Sequence, residues 1–219
     1  MARMSPTLTA VSAVPFAPSG TRAPLAQARV ESCCRVGSSV RRLARTIPVV
    51  TELLTAFAAY SHGTEFASPC GPGTVIEDLE PGDEVRLIDG TPSQVLWIGM
   101  IDLMPQTAQR LLPDTAPLVR IVPDRFGYAR PARDLILGAH AQVSGQGLAV
   151  DLVDYEQVLP VTPPGMVRLF QLVCDRPGAE LIANGLGVPG FALGNWMEKQ
   201  DPLVQNIMQS LLPGGGNRP

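Results

Sequence analysis

A chain of 219 residues holds one ordinary domain with tails or two small ones, and a hydrophobic content of 45% is enough for a sizeable core. Aromatic residues are only 5%, so that core is mostly aliphatic. A formal net charge of -3 and a pI near 5.4 exclude the basic footprint of a nucleic-acid or anionic-membrane binder. No apolar run reaches the ~18–20 residues that a membrane-crossing helix needs, and 22 prolines with 21 glycines favour short strands and turns over long helices.

Residues 1–45 mix Ala, Pro, Ser, Thr and Arg without hydrophobic period and read as a disordered leader. The leader lacks a clean secretory signal, because its weakly apolar stretch is broken by Pro15 and Pro18. Next, Val49, Val50, Leu53, Leu54 and Phe57 recur at helical spacing after Pro48 and predict a short amphipathic helix within residues 46–58.

From Gly63 the pattern becomes that of a β protein. Residues 64–67 and 74–76 are short strand candidates on either side of the turn Ser68-Pro69-Cys70-Gly71-Pro72-Gly73. An acidic loop over 77–83 feeds a strand at 84–88. The Asp89-Gly90 turn then leads to another at 93–98, where Val95 and Trp97 alternate with Gln94 and Leu96. Residues 105–117 read as an irregular insertion and 118–122 as a strand. Residues 132–137 lead to His140, and 143–150 form a hairpin about Gly145 and Gly147. Strands at 167–173 and 181–185 close the body. In the tail, Asp201-Pro202 is an N-cap with proline at the first helical position. Leu203, Val204, Ile207, Met208, Leu211 and Leu212 then form one apolar stripe. That stripe either docks on its own domain or offers a protein partner Leu203, Val204, Ile207, Met208 and Leu211.

The four cysteines make no framework: Cys33 and Cys34 are adjacent in the leader, and Cys70 and Cys174 stand alone. No Cys/His spacing suits zinc, so no metal or cofactor is expected. Reduced thiols in a reducing compartment are expected, with the cytoplasm favoured. Acidic residues from Glu77 to Glu84 read as a solvated loop. Gly185-x-Gly187-x-x-Gly190 lacks the strand and helix context of a phosphate-binding loop.

Three segments together resemble the Hint domain, the self-processing fold of Hedgehog C-terminal domains and inteins, in its bacterial form. The first runs from Gly63-Thr64 through Val75-Ile76-Glu77-Asp78-Leu79-Glu80-Pro81-Gly82-Asp83-Glu84-Val85. The second is Val95-Leu96-Trp97-Ile98-Gly99, and the third is Ala132-Arg133-Asp134-Leu135-Ile136-Leu137-Gly138-Ala139-His140. More loosely, residues 167–175 and 181–185 are similar to the family's closing strands. The resemblance implies a mainly β, Hint-like compact twisted fold with short flanking helices. The domain would cover residues 59–194, followed by a helix and tail over 195–219.

It also implies a chemistry. A Cys, Ser or Thr at the domain's first residue attacks the preceding carbonyl, and the peptide becomes a thioester or ester. A histidine of the central block protonates the departing amide nitrogen, helped by a Thr or Ser three positions before it. Counting four residues back from the Gly63-Thr64 pair, the nucleophile's place is held by Ala59, which has no attacking atom. His140 occupies the block-histidine place, but Leu137 stands where the helping hydroxyl belongs. Asp175-Arg176 is followed by Pro177-Gly178 with no histidine. The sequence therefore predicts a Hint protein degenerate for self-cleavage that serves as a structural or interaction module. The alternative is an autoproteolytic protein using Cys70 or Ser61 as a non-standard nucleophile with His140 as general acid and base.

Overall fold

The computed structural model describes residues 26–107, 117–139, 141–145, 148–151 and 158–212. Its first elements correct the expectation of a disordered leader over residues 27–45, while residues 1–25 of that leader lie outside the described residues. Strands β1 (Gln27–Val36) and β2 (Ser39–Pro48) form an antiparallel hairpin, and Val36 pairs with Ser39 across a two-residue turn. Gly37 opens that turn at φ +62°, a backbone conformation that glycine adopts at little cost. The hairpin persists because β1 pairs with β7 (Pro92–Leu103), from Arg29 opposite Asp102 to Cys34 opposite Trp97. Cys33 and Cys34, placed in the leader by composition, are consequently buried on opposite faces of a sheet.

Helix α1 (Thr51–Phe57) follows and buries Leu53, Leu54, Ala56 and Phe57. The remaining strands of the large sheet are β3 (Tyr60–Ser61), β8 (Leu118–Ile121), β9 (Leu135–Gly138), β12 (Leu159–Val161) and β13 (Val167–Cys174). They run in the order β12-β8-β9-β3-β13-β7-β1-β2, with β6 (Glu84–Arg86) added to β7. Every pairing in it is antiparallel. A second sheet orders β15 (Leu186–Pro189), β14 (Glu180–Ala183), β4 (Glu65–Phe66) and β5 (Thr74–Val75). The predicted hairpin after His140 is β10 (Gln142–Gly145) with β11 (Leu148–Asp151). Asn184 and Gly185, both at positive φ, turn β14 into β15; that turn, not a phosphate loop, explains the glycine there.

Two apolar cores lie on opposite faces of the large sheet. The first, toward the second sheet, holds Phe66, Ile76, Val95, Ile98, Leu137, Leu172 and Leu181. The second holds Val30, Leu53, Phe57, Trp97, Ile101 and Leu169. Val95 and Trp97 thus fall on different faces, although their spacing predicts one. The register explains this: Val173 pairs with Trp97 but Cys174 with Val95, so Leu96 is the extra residue of a bulge and is 45% exposed. Beyond the bulge, Gly99 leaves room for the rings of Phe57 and Trp97, which meet edge to face at 5.4 Å.

Helices α2 (Leu193–Glu198) and α3 (Pro202–Leu211) cover the second core. The Asp201 carboxylate accepts from the Leu203 N–H at 2.8 Å, the predicted cap. The stripe considered for a protein partner is largely consumed at home. Val204, Met208 and Leu211 are buried and Ile207 and Leu212 pack beside them, leaving Leu203 alone 59% exposed. The Ser32 hydroxyl, from β1, donates to the Leu211 carbonyl at 2.6 Å and satisfies an orphan group at the helix end. Met208→Ala is therefore expected to lower the unfolding free energy by about 2–5 kcal/mol in urea titrations, the range for deleting a buried long side chain. Leu203→Ala should stay within about 0.5 kcal/mol; equal effects at the two positions would contradict the docking.

Candidate functional site

Ala59 lies where α1 gives way to β3. Its N–H donates to the Phe170 carbonyl of β13 at 3.0 Å, and its carbonyl accepts from the Gly138 N–H of β9 at 2.9 Å. The preceding residue, Ala58, still donates its N–H to the Leu54 carbonyl at 2.7 Å, the last bond of the helix. The Ala58 carbonyl oxygen sits so close to Gly138 that a side-chain carbon at position 138 would overlap it. Only glycine fits there, because backbone approaches backbone. Both alanines are buried.

On one side this peptide faces an open pocket of about 400 Å³. Its polar lining includes Gln142, Gln171, Asn195 and Lys199, and Trp196 supplies an apolar wall. Gln171 is 4% exposed; its amide donates to the Thr55 carbonyl at 3.3 Å. These residues were not singled out in the sequence. One signal was present: Lys199 is the only lysine among the 17 basic residues. Gln171 carries no such signal, because a polar residue in an alternating strand reads as solvent-facing.

Among the described residues, the named candidates Ser61 and Cys70 do not line this pocket. His140 lies outside the described residues; its neighbour Ala141 lines the pocket and donates its N–H to the Gly138 carbonyl at 2.9 Å. Leu137 is fully buried, pairs with Tyr60 and belongs to the first core. Ser61 is buried in β3, and its hydroxyl donates to the His62 carbonyl at 3.4 Å. His62 itself is exposed and reaches Glu77 at 3.2 Å, while the second oxygen of Glu77 accepts from the Gly63 N–H. Cys70 is exposed in a turn whose Ser68 hydroxyl bonds its backbone N–H and carbonyl. Ser68, Gly71 and Gly73 from that turn line a different pocket, with Arg86 and Arg133, which shares no lining residue with the one at Ala59.

Asp175 accepts from the Ser93 hydroxyl at 2.5 Å and the Gln94 N–H at 3.0 Å, while Arg176 donates to the Thr91 hydroxyl at 2.7 Å. The Asp-Arg pair thus fastens the end of β13 to the start of β7 and the turn before it. Among the described residues no three His, Cys, Asp or Glu groups come together as a metal site.

Residues 58–194 match the profile of the Hint domain. That is more than half of the chain, and the chain belongs to the Hint-domain family. Solved structures similar to it include a bacterial intein-like domain from Clostridium thermocellum. The identity is 11% and the TM-score 0.46, over 61% of this chain and 99% of that one. The MchDnaB-1 intein is similar at 16% identity and a TM-score of 0.41, over 61% of this chain and 99% of the intein. No curated protein matches the chain.

Burial pushes the Cys174 thiol up to about 12, helped by the Asp175 carboxylate, and raises Cys33 and Cys34 above their ordinary value of 9.0. Burial also holds the Tyr60 hydroxyl well above its usual range. A thiol reagent at neutral pH should accordingly titrate one cysteine of the four, Cys70, in the native protein and all four after unfolding. Rapid native labelling of Cys174 would contradict the packing. The sign of the pH effect follows: the folded state keeps these thiols protonated, so their contribution is complete below pH 9.0 and is lost as pH rises toward about 12. Melting temperature should fall across that interval, and Cys174→Ala should flatten the fall.

Proposed function

We infer that this protein is a Hint domain that no longer cleaves itself and serves as a structural or interaction module. The observation that supports this most is the pair of alanines at the would-be scissile bond. Ala59 offers only a methyl group, and the carbonyl that a nucleophile would attack is wedged against Gly138. Nucleophilic catalysis needs an attacking atom placed by the backbone itself, and no neighbouring side chain substitutes for a group fixed in that way.

A second consideration concerns what precedes the bond. In a chain that releases its N-terminal part, residues before the nucleophile need not belong to the domain. Here β1 pairs with β7 and α1 fills the second core, so the segment before Ala59 is built into the same body. Cleavage there would nick the protein without parting it. The reading with Cys70 or Ser61 as nucleophile and His140 as acid and base has one favourable observation, the exposure of the Cys70 thiol. Against it stands the Cys70 turn, which lines a pocket separate from that of Ala59.

The test restores the missing groups. Ala59→Cys supplies a sulfur, and Leu137→Thr supplies the helping hydroxyl at a cost of about 1–3 kcal/mol for burying it in the first core. Thiol-induced cleavage after Ala58 should be absent from the wild type, slight in the single Ala59→Cys change and greater in the double change. The two fragments should stay together through native size-exclusion chromatography and separate only in denaturant. Wild-type cleavage before Ser61 or Cys70 would overturn the degenerate reading; spontaneous separation of the fragments would overturn the built-in role of residues 27–58.

A further inference from the structure

The large sheet ends on β2, and no described strand pairs with its outer side. In a two-residue hairpin the closing pair is hydrogen-bonded, here Val36 with Ser39, and bonded pairs then alternate along the ladder. Residues 39, 41, 43, 45 and 47 therefore turn their backbone groups toward β1. Val40, Arg42, Ala44 and Thr46 turn N–H and carbonyl groups outward. This is a ten-residue edge, exposed over most of its length, of the kind that templates a further strand.

Its side chains restrict what such a strand can be. Arg41 and Arg45 stand opposite Cys34 and Val30, on the same face, with Leu43 between them. Both arginines are exposed, and neither has an ion-pair partner among the described residues. Arg42, on the other face, is held by Glu80 at 2.6 Å. A second copy of the chain meets like charges in several registers. A two-fold pairing centred on Leu43 sets Arg41 opposite Arg45, and one centred on Arg42 sets that residue opposite itself; like charges facing across a ladder are unfavourable. The chain's own residues 1–25 also fit poorly, since they carry Arg3 and Arg22, no acid, and prolines at 6, 15, 18 and 24. Residues 213–219 likewise bring Arg218 and no acid.

We propose that the outer edge of β2 docks an extended acidic segment of another protein as an added antiparallel strand, with carboxylates at alternate positions facing Arg41 and Arg45. Main-chain bonds to Val40, Arg42, Ala44 and Thr46 supply the attachment, and the charge pattern supplies the selection. Nucleic acid fits less well, because half of the outward groups are carbonyl acceptors that repel phosphate. The inference does not rest on the loss of self-cleavage: cleavage is read from fragment masses, docking from binding.

The probe is a fluorescein-labelled octapeptide of alternating glutamate and valine, titrated with the full-length chain and followed by fluorescence anisotropy. It should bind, and its lysine–valine counterpart should bind at least about tenfold more weakly. Arg41→Glu with Arg45→Glu should reverse that preference. Methylating alternate backbone nitrogens of the peptide should weaken binding by a similar factor while leaving the protein untouched. Equal binding of the two peptides, indifference to N-methylation, failure of the glutamate peptide to bind, or equal binding of an oligothymidylate of the same charge would each overturn the proposal.

Discussion

The pairing of β1 on β7 is the contact on which the remaining structure depends. β7 already carries β13 along its other side, and without β1 it would leave an open edge beside a bare apolar face. β1 closes that edge over six residue pairs and brings Val30 and Cys34 to the second core. It also carries Ser32 to the carbonyl at the end of α3 and Glu31 to Arg168, which grips Asp102 through two bonds of 2.7 and 2.8 Å. Strands β1, β7 and β13 are thus tied by both backbone and charge. The residues that match the Hint family supply every strand of the large sheet except β1 and β2, while those two strands, α1 and the C-terminal helices help to cover one of its faces.

That arrangement determines the chemical meaning of the junction at Ala59. The peptide before it is the last turn of a buried helix, and the peptide after it is the first bond of a central strand. A self-processing domain needs the opposite, a reactive bond whose upstream side is free to leave. In the proposed reading, the alanine at position 59 and the packing of the upstream segment point the same way, because a chain that does not cut here can build the preceding residues into its core without penalty. The pocket beside Ala59 is lined by Lys199 and Gln171 among others.

Most of the body was legible in the sequence, and the reasons are local. The Asp89-Gly90 turn, the strand at 167–173 and the Asp201-Pro202 cap are short-range signals that the structure reproduces, whereas the strand expected at 181–185 ends at Ala183 and turns at Asn184-Gly185. The N-terminal hairpin was not legible. β1 builds its buried face from Ala28, Ser32 and Cys34 around a single valine, and β2 is mostly polar. Such a pair is stable only because β7 is waiting for it, which is a long-range fact. The bulge at Leu96 was hidden for the same reason, since an unbroken alternation in sequence says nothing about an extra residue in the partner register. At the candidate site, the alanine at position 59 could be read directly. The clash that reserves position 138 for glycine and the burial of Gln171 required coordinates.

The intact mass of the full-length protein, purified without thiols and measured under denaturing conditions, tests the central claim most directly. A single species at the full 23.3 kDa is the result the account predicts. A fragment beginning at Ser61 or Cys70 would contradict it, because that product requires a working nucleophile in a chain that has none at residue 59.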